Sequence, residues 1–330
     1  MAKWEILDID PWIKDYEGDI SLRMNEYEKQ KNRLISDGEK LSDFANAYHY
    51  YGFHKVKDGW IYREWAPHAD GLYLIGDFND WDRHSHPLTK INDEDWEIFI
   101  KGIGTIAHGS RIKVLVDTNG AISDRIPLYA RRVERNEDGD FAAIMQNPRS
   151  KFKWTDEDFE INHDNLLIYE SHIGMAGEEG KVSTYKEFEI DLLPRIKKAG
   201  YNTVQLMAIA EHPYYGSFGY QVSNFYAPSS WYGEINDLKS LINAAHNMGL
   251  NVIMDLVHSH AVKNTVEGIN EFDGTDYQFF HTGQEGNHPD WDSKLFDYAK
   301  PGVLHFLLSN VKYWLEEFHF DGFRFDGVTS

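Results

Sequence analysis

Short apolar strands and amphipathic helices alternate from residue 166 to the end of the chain, and this alternation restricts the fold more than any other feature. Four runs have the composition of strands, at 166–170, 202–207, 250–255 and 319–330. Strands joined by helices in this way form a parallel sheet with helices outside it. Two closures stay open, a doubly wound sheet and half of an eight-stranded barrel. No glycine fingerprint follows the first strand, which argues against dinucleotide binding.

The helices between these strands have recognisable ends. A capping box at 184–187 opens the first helix, and Gly200 ends it. Asn236 is the predicted N-cap of the second helix, and Pro301 opens the third. The predicted inner face of this third helix consists of Leu304, Leu307, Leu308, Val311, Leu315 and Phe318.

The front of the chain divides into two further units. Residues 1–45 are predicted to be helical, opened by Pro11, and to pack on their neighbour. Residues 46–147 consist of alternating runs split by Gly, Asn and Asp, which predicts an immunoglobulin-like β-sandwich. Residues 148–330 then form the third unit. The apolar stripe expected to dock the first unit consists of Trp12, Tyr16, Leu22, Tyr27 and Leu34.

Composition excludes several partners. The formal net charge of −21 argues against nucleic acids and anionic membranes, whereas a neutral polymer such as a polysaccharide is not repelled. The chain has no cysteine, so disulfides and thiolate metal sites are excluded. It begins without an apolar signal segment and has no run of membrane-spanning length. We therefore expect a cytoplasmic protein.

The last strand carries an arginine and a carboxylate on one face. Side chains alternate along a strand, so Arg324 and Asp326 lie about 7 Å apart on the same side of the sheet. A fixed positive charge favours the ionised form of a neighbouring carboxylate. Asp326 is therefore a candidate nucleophile, and a structural ion pair at a strand end is the alternative.

Other polar residues follow the earlier strands. Asp255 ends the third strand, and His258 and His260 come directly after it. This cluster is open to three interpretations: a metal site, hydrogen bonding within a polar loop, or a sugar-binding floor beside Asp326. Tyr220 follows a glycine and either reaches into the cleft or packs in the core. Trp231, Trp291 and Tyr298 are likewise sugar platforms or core residues.

Several segments together resemble the α-amylase superfamily, and within it the glycogen and starch branching enzymes of eukaryotic-like type. The similarity covers nearly the whole chain, including a front part that resembles the starch-binding sandwich of that family. The matching segments are EWAP at 64–67, GDFNDW at 76–81, IYESH at 168–172, QLMAI at 205–209, SFGYQ at 217–221, DLVHSH at 255–260, FDGTD at 272–276 and DGFRFDGVTS at 321–330.

This resemblance implies roles for particular residues. Asp326 is implied as the nucleophile and Arg324 as its electrostatic partner, while Asp255, His260 and Tyr220 are implied to line the subsite of the attacked sugar. Ser259 stands where many amylases have an asparagine that helps hold calcium, so no metal or other cofactor is expected. The implied glucan contacts on the sandwich are Trp65, Trp81 and Trp96.

The implied reaction is a retaining transfer of α-1,4-glucan chains to form α-1,6 branches. A glucan hydrolase of the same superfamily and a non-catalytic glucan-binding protein are the alternatives. The implied fold is an N-terminal helical segment, a β-sandwich and the first half of a (β/α)8 barrel. The family's acid/base glutamate lies beyond the fourth strand, so we expect this chain, as a monomer on its own, to be inactive.

Overall fold

The computed structural model describes residues 4–36 and 38–328. Thr329 and Ser330, which close the last predicted strand, lie outside the described residues. The chain opens with short helical elements, as the sequence indicates, and Pro11 begins one of them. These elements are α1 (Ile6–Ile9), a 3-10 helix (Pro11–Tyr16), α2 (Glu17–Leu34), α3 (Leu41–Phe44) and α4 (Ala47–Tyr50).

The predicted docking stripe of the helical segment is wrong. Trp12 is 90% exposed, and Tyr16, Leu22 and Tyr27 are exposed as well. Helix α2 buries none of its described residues. It carries local side-chain pairs instead, such as Gln30 donating to Glu26 at 2.6 Å. The stripe is too interrupted by charged residues to form a continuous packing face.

The next part of the chain is a sandwich of two antiparallel sheets, as predicted. One sheet has the order β1-β2-β5-β4, and the other has the order β3-β6-β9-β8 with β7 paired to β6. Its strands are β1 (Gly52–Val56), β2 (Gly59–Trp65), β3 (Gly71–Gly76), β4 (Thr89–Lys90), β5 (Asp95–Lys101), β6 (Arg111–Thr118), β7 (Ala121–Arg125), β8 (Val133–Arg135) and β9 (Phe141–Ile144).

The third part contains a four-stranded parallel sheet, which decides between the two closures that the sequence left open. The strands are β10 (Ile168–Ser171), β11 (Thr203–Leu206), β14 (Asn251–Leu256) and β18 (Gly322–Phe325). They pair in the order in which they occur along the chain. Sequential order without a reversal is the order of a (β/α)8 barrel and not of a doubly wound sheet.

Helices cover one side of this sheet. The first is continuous from Tyr185 to Lys198, as α5 (Tyr185–Glu187), a π-helical turn (Phe188–Leu192) and α6 (Leu193–Lys198). The capping box of Thr184 and Glu187 opens it, as predicted. Helix α7 (Ile235–Asn247) begins earlier than predicted, because Glu234 and Asp237 form its capping box and Asn236 lies inside the helix.

The predicted inner face of α8 (Pro301–Phe318) is partly wrong. Leu307 and Phe318 are buried, but Leu315 is exposed, and Phe306 and Trp314 are buried in its place. The helix packs against the sheet and also against α4, where Ser309 accepts a hydrogen bond from the Ala47 amide at 2.9 Å. Because α8 has neighbours on two sides, its buried face is wider than predicted and is rotated relative to the predicted face.

Two insertions rise above the carboxyl ends of the four strands, which we call the upper edge. The first is a hairpin of β12 (Ala210–Glu211) and β13 (Asn224–Pro228). The second lies in the long loop after β14 and contains β15 (His260–Val262), β16 (Asn287–His288) and β17 (Ser293–Leu295). A long loop at this edge of the sheet is typical of an insertion that builds a functional site.

The sandwich and the sheet unit are joined by buried hydrogen bonds. Arg125 donates to the carbonyl of Asn270 at 2.5 Å, and Gln278 donates to the carbonyl of Trp65 at 2.7 Å. The first sheet strand is exposed at Leu167 and Ile168, and the fourth at Phe325. No helix among the described residues is long and apolar enough to cross a membrane.

Candidate active site

Arg324 links two carboxylates at the upper edge. Asp255 on β14 is the register partner of Arg324 on β18, so their side chains lie on one side of the sheet. The Arg324 guanidinium donates to Asp326 Oδ1 at 2.6 Å and to Asp255 Oδ2 at 3.2 Å. Arg324 and Asp326 therefore lie on the same side of the sheet, as strand alternation predicted. Strand β14 adds Asp255 to that side.

Asp255 is fully buried and receives three donors. Tyr220 donates its hydroxyl to Oδ2 at 2.6 Å, and Gln205 donates its amide to Oδ1 at 2.7 Å. Burial raises the pKa of Asp255, and the hydrogen bond from Tyr220 and the charge of Arg324 oppose that rise. A carboxylate held by donors on both oxygens has a fixed orientation.

Gly219 explains why Tyr220 reaches this cluster. Its φ is +91°, and a Cβ there would lie 1.9 Å from the carbonyl oxygen of Ala208. Only glycine tolerates this combination of left-handed backbone and close approach. The loop can therefore turn tightly after the second strand and direct the Tyr220 ring inward, as the sequence suggested in one of its two interpretations.

The two histidines of the 255–260 segment point to different partners. His260 contacts the carbonyl of Tyr220 through Nε2 at 2.9 Å and Ser259 through Nδ1 at 2.8 Å. His258 contacts Asn310 through Nε2 at 2.9 Å, and burial lowers its pKa to about 4. Apart from the contact with Ser259, the partners of both histidines lie outside the 255–260 segment, on α8 for His258 and in the loop of Tyr220 for His260.

A cavity of about 630 Å³ opens over this cluster. Asp326 and Arg324 lie on its wall together with Tyr220 and His260. The hairpin after β14 adds Trp291, which is 41% exposed and whose ring is stacked on His288 at 4.1 Å. The remaining lining residues are Tyr214, Ser217, Gln221 and Val262.

The sequence did not single out Gln205, Tyr214 or Val262, and it left the role of Trp291 open. Gln205 lies in a quoted segment, but nothing signalled that its amide bridges Glu170 and Asp255. Tyr214 drew no attention because its neighbours are also aromatic. Trp291 was interpreted as a platform or a core residue, and the structure places it at the cavity.

The three tryptophans proposed for the sandwich separate into two groups. Trp65 and Trp96 are 6% and 5% exposed, so we remove them from the candidate glucan contacts. Trp65 packs edge-on against Phe279, and Gly302 comes so close that a Cβ there would lie 2.4 Å from the indole. Trp81 is half-buried in a left-handed turn and donates to Asp77 at 3.0 Å, and it stays a candidate.

Comparison with known proteins agrees with this architecture. Residues 50–130 match the family model described as carbohydrate-binding module 48 (isoamylase N-terminal domain). Residues 190–299 match the alpha amylase catalytic domain. The catalytic module of a glycogen-degrading pneumococcal virulence factor has a similar fold, with a TM-score of 0.67 at 19% identity over 90% of this chain and 48% of that chain.

Curated relatives are similar along the whole length. The 1,4-alpha-glucan-branching enzyme of Dictyostelium discoideum is 45% identical over 99% of this chain and 49% of its own length. Over nearly its whole length the chain is therefore similar to 1,4-alpha-glucan-branching enzymes, and part of it matches the alpha amylase catalytic domain. The chloroplastic/amyloplastic branching enzyme 2-2 of Arabidopsis thaliana is 46% identical over 99% of this chain and 41% of its own length.

The branching-enzyme relatives are longer than this chain, which spans about half their length. The two family models match in the order of the structure, the sandwich first and the sheet unit after it. The matched amylase segment, 190–299, contains Tyr220, Asp255 and His260, whereas Arg324 and Asp326 lie past its end.

Proposed function

We propose that the chain forms the nucleophile-bearing part of the active site of a 1,4-α-glucan-branching enzyme. The supporting observation is that Arg324 holds Asp326 at the cavity wall beside the half-buried Tyr220, whose hydroxyl is bonded to the buried Asp255. An ordered carboxylate next to a sugar-sized cavity is what covalent glycosyl transfer requires. The relatives named as branching enzymes give the substrate class, an α-glucan.

In the first step, Asp326 attacks the anomeric carbon of a glucosyl unit in an α-1,4 chain. Arg324 engages Oδ1, which leaves Oδ2 to form the new carbon–oxygen bond. The bond from the anomeric carbon to the departing O4 breaks, and a carboxylic acid about 5 Å away gives O4 its proton. We expect that acid from a part of the enzyme outside this chain. The product is a glucosyl ester on Asp326.

In the second step, the 6-hydroxyl of another glucan attacks the same carbon from the side the leaving group occupied. The second carboxylate, now a base, takes the hydroxyl proton, and the ester bond to Asp326 breaks. Two inversions retain the α configuration and produce an α-1,6 branch. If water accepts the glucosyl unit, the same residues perform hydrolysis, so the acceptor alone distinguishes the two enzymes.

During both steps, Tyr220 contacts the sugar ring beside Asp326, and the buried Asp255 holds the Tyr220 hydroxyl and the Arg324 guanidinium in place. Tyr220 and Gln205 fix the Asp255 carboxylate, so its orientation does not change when the substrate enters. Preorganised polar groups of this kind contribute most when charge develops in the transition state. Trp81 is the proposed glucan contact on the sandwich.

We also propose that the chain consists of three units, 1–45, 46–147 and 148–330. The enzyme is proposed to be a monomer and to be located in the cytoplasm. One relative is named as chloroplastic/amyloplastic.

The test uses the complete enzyme with amylose as substrate. We expect the iodine colour to shift and α-1,6 linkages to appear without release of reducing ends. Release of reducing ends in proportion to the colour change would show a hydrolase instead. If the Asp326→Asn variant retains normal turnover, the nucleophile assignment is wrong. Glycogen binding without any bond rearrangement in the wild type would show a binding protein.

A further inference from the structure

The first elements of the chain expose a group of large apolar side chains, which we call the amino-terminal apolar cluster. It lies on α1 and on the 3-10 helix that follows, and these two elements contact each other. Its members are Ile6, Ile9, Trp12 and Tyr16. Among residues 4–36 and 38–328, Trp12 is the most exposed large hydrophobic residue, and Ile9 is 73% exposed. Several large apolar groups exposed within so short a segment are typical of a surface that contacts a partner.

The cluster is attached to the barrel unit through helix α2. The 3-10 helix contacts α2, and Arg33 near the end of α2 donates to the carbonyl of Ala299 at 3.1 Å, just before α8 begins. Lys312 on α8 donates to the carbonyl of Ser42 at 2.8 Å. Since α2 has 18 residues and is about 27 Å long, the cluster lies well away from this attachment. A partner that covers it must therefore extend far beyond α8.

One side of helix α8 is also uncovered in the described part of the chain. Glu317 lies toward α7, where it meets Lys239 at 3.6 Å. The opposite side carries a stripe of half-buried or exposed apolar residues spaced three or four apart. The stripe consists of Leu304, Leu308, Val311 and Leu315. Because the strands follow one another in sequential barrel order, the helix of the next barrel unit would lie on this side of α8.

The charges around the amino-terminal apolar cluster restrict its partner. Residues 5–19 contain six acidic side chains and one basic side chain, Lys14. A second copy of the chain would bring two such acidic rims together, and like charges placed opposite each other weaken an interface. An anionic membrane would be repelled for the same reason. The surface is therefore suited to a partner that has an apolar centre and a basic rim.

We infer that the amino-terminal apolar cluster docks on the part of the complete enzyme that carries the remaining barrel strands. The branching-enzyme relatives are about twice as long as this chain, so a second body of similar size is available. The uncovered side of α8 places the start of that body next to this chain. The N-terminal helical segment would then hold the two halves of the barrel together. This role uses the proposed function only in assuming that the complete enzyme continues the barrel, and it does not depend on the reaction.

Photo-crosslinking of the purified complete enzyme identifies what covers the cluster. Trp12 is replaced with p-benzoylphenylalanine, and the irradiated enzyme is digested and analysed by mass spectrometry. We expect a cross-link within one polypeptide, to a residue beyond position 330. The matched control carries the same probe at Ile122 on β7, which is 54% exposed and lies outside the cluster, and no such cross-link is expected there.

Three results would overturn the inference. A cross-link from position 12 to a second copy of the enzyme would show that the cluster is a dimer interface. A cross-link confined to residues of this half, or no cross-link at all, would show that the remaining part does not cover the cluster. Equal cross-linking from positions 12 and 122 would show that the contact is not specific.

A stability measurement provides a second readout. Trp12→Ala removes the largest side chain of the cluster, so we expect the unfolding midpoint of the complete enzyme to fall by about 2–5 °C. Ile122→Ala, outside the cluster, should lower it less. An unchanged midpoint for Trp12→Ala would contradict docking, because only a covered tryptophan contributes much to stability. Branching activity enters neither readout, so an enzyme that cross-links as expected but forms no branches would refute the proposed function and leave this inference supported.

Discussion

The two ends of the parallel sheet both carry charged clusters, but they are built differently. At the upper edge, Arg324 bridges Asp255 and Asp326, its side chain is 47% exposed, and the cluster faces a cavity. At the opposite, lower edge, His246 lies between Asp156 at 2.8 Å and Asp321 at 3.0 Å, and all three side chains are buried. The upper cluster is accessible to solvent, and the lower cluster is buried.

The segment between the sandwich and β10 covers the lower cluster. Within residues 147–165, Phe159 stacks on His246 at 4.1 Å, and the carbonyl of Asn162 accepts a hydrogen bond from Asn251 at 2.7 Å. Asp321 also accepts from the amide of Val252 at 2.6 Å. Every charge of the lower cluster thus has a protein partner, which indicates a structural role. The upper cluster keeps one carboxylate at an open cavity, which indicates chemistry.

The largest expected effect tests the upper edge. In the complete enzyme, Asp326→Asn should lower branching turnover by on the order of 10⁴-fold or more, because the amide cannot form the glucosyl ester. The unfolding midpoint should stay close to that of the wild type. Iodine assays together with thermal unfolding make the comparison, and a large loss of stability would mean that Asp326 is a structural ion-pair residue.

The lower edge should respond in the opposite way. His246→Leu removes the imidazole that two buried carboxylates share and should cost about 3–5 kcal/mol of unfolding free energy. Chain that still folds should retain its glucan affinity, as chemical denaturation and a maltoheptaose titration would show. His246→Gln, which keeps one donor, is the matched milder variant. A His246 variant with normal stability and impaired binding would reverse the assignment of the two edges.

A smaller effect sharpens the description of the upper edge. Tyr220→Phe removes the hydroxyl bonded to Asp255 and should cost about 1.5–3 kcal/mol in transition-state stabilisation, or roughly 10- to 100-fold in kcat/KM. Gly219→Ala serves as the backbone control, since it disturbs the same loop through its φ of +91°. If Tyr220→Phe changes stability more than kcat/KM, the tyrosine belongs to the core.

The smallest expected effect is a pH dependence of the lower edge. Burial alone lowers the pKa of His246, but the hydrogen bonds and charges of Asp321 and Asp156 outweigh it, and the pKa is raised. The stability that His246 contributes is therefore fully present below about pH 6.5, the pKa of a histidine in the unfolded chain. It is lost as the pH rises through the higher pKa of His246 in the folded protein. Burial raises the pKa of Asp156, yet its bonds to His246 and His319 outweigh this and lower it, so its contribution is lost in acid.

The cluster should consequently be most stabilising between about pH 4 and pH 6.5. Urea unfolding at about pH 5.5 and pH 8.5 should show a greater loss of stability at high pH for the wild type than for His246→Gln. Equal losses in the two proteins would show that other groups set the pH dependence.

Local signals determined much of this protein. Strand alternation placed Arg324 and Asp326 on one face, the capping box at Thr184 set a helix start, and the glycine before Tyr220 allowed its inward turn. These features depend on backbone sterics and on residues a few positions apart, which the sequence states directly. The resemblance of whole segments indicated branching enzymes, to which the comparisons show the chain to be similar over nearly its whole length.

Only the tertiary structure decided which surfaces are covered. The order of β10, β11, β14 and β18 fixed the barrel closure, and contact with α4 moved the buried face of α8. The stripe around Trp12 stayed exposed, whereas Trp65 was buried against Phe279 from a distant part of the chain. An aromatic side chain has the same local pattern in a core and on a surface, and only its long-range neighbours determine whether it meets water or protein.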